Sequence, residues 1–286
     1  MALSIQSNMA SMSIQNQLGR SNDSLSTALE RLGSGFKINS AKDDAAGLQI
    51  ASRLNAQVKG QEAGLYNGAN AMSMMQTAEG AFDEMTNIAY RMKELATQGA
   101  SDANGTTEWA AQSAEYTALK AEMTSIMENT SFGGTGLFND AVVGPPAVDA
   151  GKFTGAVSFQ VGSSAAETLA VDVSTEVGDV KTAIGTTAAF TDVTTAQAEL
   201  AKVDTIIGDI GTARSSLGAS MNRLEHTMTN VTNMKENTQA ASSTLMDADF
   251  AAETSNMTKQ QLLMNSGISV LSTANSTTQM IGSLLR

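Results

Sequence analysis

The chain has 286 residues, no cysteine and a formal net charge of −12. This length can bury a sizeable core, the absence of cysteine excludes disulfides, thiolate metal sites and thiol nucleophiles, and the acidic balance opposes binding to nucleic acids and anionic lipid surfaces. Aromatic residues make up only 4% of the chain, which is typical of helices that pack through small and medium-sized side chains.

The first predicted element is a helix over residues 4–32. Its apolar side chains recur at helical spacing on a narrow stripe, and the other faces are polar, with Arg20 and Asp23 the only charges in residues 1–29. The opening sequence lacks a basic region followed by an unbroken apolar run, so we expect no cleavable secretory signal. The stripe consists of Ile5, Met9, Met12, Leu18, Leu25, Leu29 and Leu32.

The next segment, RLGSGFKINSAKDDAAG at 31–47, predicts a joint between two helices. Gly33 and Gly35 predict the end of the first helix and a turn of the chain. Ser40 is predicted as the N-cap of the second helix, with Asp43 three residues later accepting hydrogen bonds from amides of the first turn.

Two ligand sites compete with this interpretation of the joint. A phosphate loop is disfavoured because the glycines and Lys37 lack the spacing G-x-x-x-x-G-K-[ST], and no strong apolar strand precedes them. A metal site at Asp43 and Asp44 is disfavoured because adjacent carboxylates point to different sides of a helix and no third ligand is near. A capped turn needs no ligand, so we expect neither a cofactor nor a metal here.

A single helix is predicted from about Lys42 to the polar turn GASDANG at 99–105. Its apolar side chains follow steps of three, four and seven, with a phase shift near Glu79, and a second helix with a similar stripe returns after the turn and can pack antiparallel on it. The first stripe is Ala51, Leu54, Val58, Leu65, Met72 and Met75, then Ala81, Met85, Ile88, Met92 and Leu95; the returning stripe is Trp109, Tyr116, Leu119, Met123 and Ile126.

The middle of the chain predicts a small β-containing insertion. Two short runs alternate apolar residues with small or polar ones on either side of GSSAAET, which is the pattern of a β-hairpin. Both prolines of the chain follow Gly144, where neither a helix nor a central strand can continue. The alternating residues are Val157, Phe159 and Val161, then Leu169, Val171 and Val173; the prolines are Pro145 and Pro146.

A second long helix is predicted from about residue 192, with a sustained heptad pattern that favours a coiled-coil-like bundle. Arg214 and Lys235 fall on the seam, where we expect them to fix the register of helix pairing. His226, the single histidine, lies off the seam, so a surface position is favoured over a catalytic one. One heptad series is Val203, Ile210, Leu217, Leu224, Val231 and Leu245, and the partner series is Ile207, Met221 and Met228.

Asp247 and Asp249 predict a bend with a helix N-cap, which is favoured over a metal site. The last helix is predicted over residues 252–285, and it too has a narrow stripe and few charges. Because uncharged polar faces can pair without desolvating charges, we predict that both chain ends are loose in the free subunit and become ordered against copies of the same chain. The last stripe is Met257, Met264, Leu271 and Leu285.

The predicted fold class is mainly α: a long antiparallel coiled-coil-like helical rod built from both chain ends, with a small β-containing insertion in the middle. An enzyme is disfavoured because no convergent acid pair or triad is evident, and no run approaches a membrane span. The predicted segments are an N-terminal helix and joint at 1–40, the N-terminal part of the rod at 41–140, a β-containing region at 141–191, the C-terminal long helix at 192–246 and a C-terminal helix at 247–286.

At RLGSGFKINSAKDDAAGLQIASRL the sequence resembles the bacterial flagellins. The resemblance covers about residues 1–140 and 195–286. It implies a structural subunit that polymerises into the extracellular filament of the bacterial flagellum, the propeller for swimming; a hook-filament junction protein of the same helical family is the alternative. Further similar segments are AEGAF at 78–82, KELATQ at 93–98, SSLGASMNRLEH at 215–226 and DADFAAETSNMTKQQLL at 247–263.

The resemblance also implies how the subunit works with partners. The terminal helices would pair as an inner layer of the filament, and the subunit would leave the cell through a flagellar type III apparatus without a cleaved signal. Partners would be many copies of itself, an export chaperone at the C-terminal region, and hook-junction and filament-cap proteins, with no nucleic acid and no membrane insertion. The implied inner-core interface is Ile5, Met9, Met12, Leu18, Leu25, Leu29, Met257, Met264, Leu271 and Leu285.

One further segment, YRMKELATQ, is similar to the flagellin segment that Toll-like receptor 5 recognises in vertebrate hosts. The resemblance implies receptor contacts at Arg91 and Leu95, with Glu115 on the returning helix. Lys93 replaces an arginine that is common in that segment, which keeps the charge but loses the planar guanidinium. The same residues can instead serve contacts between subunits.

A signalling coiled coil of the chemoreceptor type is a competing class, since it is also rich in Ala, Ser and Gln heptads. Such a protein needs a tight helical hairpin at its centre, whereas this chain has a strand-bearing insertion with prolines. Assembly discriminates between the two, because a filament subunit converts from soluble monomer to long filaments.

Overall fold

The structure is a computed structural model that describes residues 7–139 and 150–284, without the side chains of residues 278, 279 and 281–284. It is mainly α-helical with two small antiparallel sheets, which confirms the predicted fold class. Ile5, Leu285 and the two prolines of the predicted boundary lie outside the described residues. The elements are α1 (Met9–Ser34), α2 (Ala45–Gly99), α3 (Thr106–Asn129), β1 (Ser131–Phe132), β2 (Thr135–Gly136), a 3-10 turn (Lys152–Thr154), β3 (Val157–Gln160), β4 (Thr168–Val171), α4 (Ser174–Thr186), α5 (Val193–Met246) and α6 (Phe250–Leu284).

The chain divides into two compact units. Unit 1 comprises Met1–Gln57 and Glu236–Arg286, and unit 2 comprises Val58–Lys235. These bounds differ from the predicted five segments, because the long helices α2 and α5 each contribute residues to both units. The segment boundaries therefore stay a prediction.

Helix α2 is one continuous helix of 55 residues, and its buried face has no phase shift. Ala71, Met75, Ala78, Phe82 and Met85 are all buried in alternating steps of four and three. The predicted shift near Glu79 is therefore wrong. The buried face includes several small residues. The prediction instead followed larger apolar neighbours, which lie at the edge of the buried face.

The second heptad series predicted for α5 is wrong for the same reason, because it follows larger side chains at the edge of the core. The predicted members Ile207, Met221 and Met228 are half-buried at the edge of the core. The buried residues that accompany the Val203 series on α5 lie one position before the predicted second series. Two of the three are small or polar. They are Ile206, Ala213 and Ser220.

Arg214 lies at the edge of the α5 seam and links it to α2. Its guanidinium donates to Glu79 at 2.8 Å and pairs with Asp83 at 3.1 Å, and Lys93 of α2 pairs with Asp204 of α5 at 2.5 Å. Because these partners are fixed along two antiparallel helices, the pairs favour one register of α2 against α5, as the sequence predicted for Arg214.

The predicted hairpin is confirmed by β3 and β4, which pair antiparallel with Val157 opposite Val171. The hairpin region lies against α2, where the carbonyl of Val161 comes so close to Gly64 that a Cβ there would lie 2.5 Å from the oxygen. Helix α4, which follows β4, was not predicted. Its buried residues Val177 and Val180 have helical spacing, but they lie in a segment rich in Gly and Thr.

A buried polar network connects the segment between α4 and α5 to α3 and α5. The Tyr116 hydroxyl donates to Glu199 at 2.9 Å, and the same carboxylate accepts from the Ala188 amide at 3.1 Å. Lys202 pairs with the other Glu199 oxygen at 2.6 Å. Burial, followed by the nearby negative charge and hydrogen bond of Glu199, raises the pKa of Tyr116 well above its ordinary value.

Candidate assembly surface and joints

The joint after α1 begins at a glycine in the left-handed region. Gly35 has a φ of 77°, and its amide donates to the Arg31 carbonyl at 2.9 Å. This is the geometry in which glycine ends a helix without steric strain. Gly33, the other predicted joint glycine, still lies within the last turn of α1.

The N-cap of α2 is Asp44, so the prediction of Ser40 as the cap is wrong. The Asp44 side chain accepts from the Gly47 amide at 2.9 Å, and α2 begins at Ala45 instead of near residue 42. Asp43 does not reach the helix amides because its carboxylate accepts from the amides of Ser40 and Asn39 in the loop. The backbone and hydroxyl hydrogen bonds from Ser40 lower the pKa of Asp43.

A second joint connects α5 and α6, and it is hydrogen-bonded to the first. Asp249 caps α6 by accepting from the Ala251 amide at 2.9 Å, which confirms the predicted bend and cap. The Lys37 amide donates to Met246 at 2.6 Å, and the Ala248 amide donates to Gly35 at 2.9 Å. The two joints thus form a short antiparallel bridge inside unit 1.

Helices α1 and α6 pack antiparallel along a seam of alternating steps of three and four. At one end of the seam the Asn8 side chain donates to the Ala274 carbonyl at 3.1 Å, and at the other Arg31 pairs with Glu253 at 3.0 Å. Many seam positions are small or polar, which allows the helices to approach closely. The less exposed residues are Ser11, Ile14, Leu18, Ser21, Leu25, Ala28 and Leu32 on α1, and Glu253, Met257, Gln260, Met264, Gly267, Leu271 and Ala274 on α6.

The predicted inner-core residues fall into two groups. Leu18, Leu25, Met257, Met264 and Leu271 lie on the seam between α1 and α6, inside one subunit. The others that are described point outward, as do several side chains of α6 that the sequence did not single out, because they lie off its heptad stripe. The outward residues are Met9, Met12 and Leu29 on α1, and Phe250, Leu262, Leu263, Ile268, Val270 and Met280 on α6.

The segment predicted to contact a receptor is partly polar surface and partly core. Arg91 pairs with Glu94 at 2.9 Å and with Glu115 at 2.8 Å, and all three side chains are substantially exposed. Leu95 is only 2% exposed, so its side chain packs in the core of unit 2 and does not form part of this surface. Lys93 is engaged with Asp204.

Neither metal chemistry nor a membrane span has support among the residues that the structure describes. Over those residues, no three or more His, Cys, Asp or Glu side chains are grouped closely enough to hold a metal ion. No described helix combines the length and apolar character needed to cross a membrane. His226 is exposed on α5.

Comparisons with known proteins decide the family. The bacterial flagellin N-terminal helical region matches residues 5–142, and the bacterial flagellin C-terminal helical region matches residues 200–285. The chain belongs to the bacterial flagellin family. Members of this family are structural subunits of the flagellar filament, and the chain is accordingly a structural protein and not an enzyme.

Individual relatives agree with this family. A flagellin of Halalkalibacterium halodurans is 34% identical over 282 residues, which covers 99% of each chain. Polar flagellin B/D of Vibrio parahaemolyticus is 43% identical over 173 residues. The aligned region covers 60% of this chain and 43% of that relative.

The fold recurs in a solved structure of low sequence similarity. A flagellar hook-associated protein from Vibrio parahaemolyticus superposes with a TM-score of 0.53 at 15% identity, over 71% of this chain and 99% of that one. At that identity the likeness concerns the fold alone. The hook-junction alternative gains no support from it, because both family matches are to flagellin.

Proposed function

We propose that this flagellin-family subunit polymerises through the outward faces of α1 and α6, and that unit 1 completes its apolar packing only against other copies. The distribution of apolar side chains carries the proposal. Among the described residues, the hydrophobic side chains fully buried in unit 1 are few, whereas most of the exposed large ones lie there. The buried ones are Ala28, Ile38 and Ala51, and the exposed large ones outside unit 1 are Tyr66, Tyr90 and Met234.

A second copy of the chain suits these faces better than a charged partner. Residues 1–29 carry only Arg20 and Asp23 as charges, and the other exposed charges on α1 and α6 are Glu30 and Lys259. The remaining outward side chains of the two helices are apolar, hydroxyl or amide. Burying one large apolar side chain contributes about 1.5–3 kcal/mol, so several per subunit can offset the entropy of ordering the helices. Assembly should therefore be cooperative and depend on subunit concentration.

Two substitutions on the outward face test the proposal. Leu29→Glu and Leu262→Glu each place a charge where the apolar contact between subunits is proposed, and we expect both to abolish seeded filament growth. Ser158→Glu, on the exposed side of β3, is the matched control and should grow normally. Growth is followed by electron microscopy, with circular dichroism to establish that each variant is folded. Normal filaments from both leucine variants would refute the proposed surface.

The ordering of the chain ends is tested separately by amide hydrogen exchange. Since unit 1 has little core of its own, we expect the amides of α1 and α6 to exchange rapidly in the free subunit and slowly in the filament. Amides around Phe82 and Met85 of α2 should be protected in both. Equal protection of α1 before and after assembly would count against ordering on assembly.

Further partners are proposed on the family relationship. An export chaperone would bind the C-terminal region, where Phe250, Leu262 and Leu263 expose apolar surface on α6. Hook-junction and filament-cap proteins would contact the filament ends, and export would use the flagellar type III apparatus without a cleaved signal. Loss of chaperone binding in Leu262→Glu, with binding retained in Ser158→Glu, would support the chaperone surface.

Recognition by Toll-like receptor 5 is proposed at the exposed polar cluster of Arg91 and Glu115. Their hydrogen bond at 2.9 Å holds both side chains on one surface of unit 2, while Leu95 supports that surface from within the core. A receptor reporter assay should show lower activation by Arg91→Ala than by the unchanged chain. Lys59→Ala, at another exposed position of α2, is the control; equal activation by both variants would count against the site.

A further inference from the structure

Among the methionines that the structure describes, some are completely buried and others are largely exposed to solvent. The sequence has 17 methionines and no cysteine, so thioethers are its only sulfur chemistry. Met75, Met85, Met92 and Met123 are completely buried in the core of unit 2. In contrast, Met9, Met12 and Met280 are 67%, 54% and 59% exposed, and Met234 on α5 is 36% exposed.

The three most exposed of the described methionines, Met9, Met12 and Met280, lie at one end of the α1–α6 pair. Met9 and Met12 are three residues apart and thus lie on neighbouring turns of one side of α1. The hydrogen bond from Asn8 to the Ala274 carbonyl places the start of α1 beside the last part of α6. Met280 follows Ala274 by six residues, or roughly 9 Å along the helix. All three belong to the outward surface on which the proposed function relies.

We propose that these three methionines form a redox switch: peroxide-class oxidants convert them to sulfoxides in the unassembled subunit, and the oxidised subunit does not enter the filament until it is reduced. This inference rests on the proposed function. In the reaction the thioether sulfur donates an electron pair to one peroxide oxygen, a sulfur–oxygen bond forms and the oxygen–oxygen bond breaks. The second oxygen leaves as water, so the sulfur is oxidised by two electrons and the peroxide is reduced.

Polarity explains why this modification would oppose assembly. A sulfoxide is a strong hydrogen-bond acceptor, and burying it without a donor carries a desolvation penalty that a thioether does not. Oxidation leaves the seam residues Ser11 and Leu18 chemically unchanged, so the penalty falls on the outward surface and not on the α1–α6 seam. Reduction by a methionine sulfoxide reductase, with a dithiol as electron donor, restores the apolar side chain.

The chain supplies its own internal control for site selectivity. Hydrogen peroxide added to the purified full-length subunit should add about 16 Da to the peptides that contain Met9, Met12 and Met280, and not to those of the buried methionines. In preassembled filaments the same three positions should react at least about tenfold more slowly, because the proposed contacts cover them.

Assembly assays then test the consequence of oxidation. Seeded growth of the peroxide-treated subunit should be roughly tenfold slower or absent, and reductase treatment should restore it. The triple variant Met9→Leu, Met12→Leu, Met280→Leu keeps apolar volume without sulfur and should grow equally well with and without peroxide. Met234→Leu, on α5 in unit 2, is the control and should remain peroxide-sensitive.

Two outcomes would overturn the redox switch: normal growth of a subunit oxidised at all three positions, or a triple variant as sensitive as the unchanged chain. If the triple variant does not grow at all, reversal by the reductase on the unchanged chain decides. Failure of the proposed function is recognised independently, because Leu29→Glu and Leu262→Glu would then grow normally whatever the methionines do.

Discussion

Gln61 is a polar residue on the buried face of α2 whose side-chain amide forms no hydrogen bond within the described part of the chain. It is 1% exposed, and within the described part of the chain neither its amide oxygen nor its amide nitrogen has a hydrogen-bond partner. An unpaired buried amide destabilises a fold, while an apolar side chain of similar shape at the same place does not.

We expect Gln61→Met to raise the free energy of unfolding by about 1 kcal/mol, since it removes this unpaired group at similar length. Urea unfolding followed by circular dichroism measures the change. Gln49→Met, at an exposed position of α2, is the matched control and should leave the midpoint unaltered. A lower midpoint for Gln61→Met would show that the amide is compensated.

Tyr116 should make stability dependent on alkaline pH. Burial raises the pKa of Tyr116 above its ordinary value of 10.0, so the folded chain holds this proton more tightly than the unfolded chain. The stabilisation from the protonated hydroxyl is complete below the ordinary value and is lost as pH rises beyond it. The free energy of unfolding should therefore fall above about pH 10.

In Tyr116→Phe this contribution to the alkaline slope should disappear, although the variant is less stable at neutral pH because it lacks the hydrogen bond to Glu199. Urea unfolding between about pH 8 and 11 measures both profiles. Tyr66→Phe, at an exposed position, should follow the unchanged chain. Parallel profiles for the unchanged chain and Tyr116→Phe would contradict the account.

At the scale of helices and joints, substitutions of Asp44 and Ser40 should differ in their effect on the stability of the first turn of α2. Asp44→Ala removes the side-chain cap of α2 and should destabilise its first turn by about 1 kcal/mol, which is a roughly fivefold faster exchange of the Gly47 amide. Ser40→Ala should leave that amide nearly unchanged, because Ser40 bonds to Asp43 in the loop. Hydrogen exchange resolved at Gly47 is the measurement, and equal effects of the two variants would restore Ser40 as a cap.

The existence and type of the long helices could be predicted because their periodicity extends over many turns. The α2, α5 and α6 helices, the hairpin and the Asp249 cap all follow from local pattern and side-chain chemistry. Only part of each seam could be predicted from hydrophobicity, because close helix contacts also use Gly267, Ala213 and Ser220. Larger neighbours such as Met221 then look like core while lying at its edge.

The joint shows a second limit of local inference. Two adjacent aspartates could each cap a helix, and the choice of Asp44 depends on Asp43 being taken by amides of its own loop. The bridge between Lys37 and Met246 links residues that are far apart in sequence, and it depends on backbone groups that carry no sequence signal. For the proposed assembly surface, Met9, Met12 and Leu29 could be predicted from the sequence. The exposed residues of α6 that lie off its heptad stripe could be identified only from the structure.

On the scale of the whole molecule, the two units differ in how they are stabilised. Unit 2 holds nearly all of the described buried apolar side chains, including Phe82, Tyr116 and Phe153. Unit 1 has a seam of small and polar residues and a large share of exposed apolar ones. The proposed assembly would supply unit 1 with apolar packing that it lacks within a single subunit.

Helical reconstruction of the filament at side-chain resolution tests this account most directly. We predict that Met9, Leu29 and Leu262 are buried between neighbouring subunits, while Leu18 and Leu271 keep their contacts across the α1–α6 seam of a single subunit. A filament in which the three outward side chains remain in solvent, with the subunits held together through the β3–β4 hairpin, would contradict it.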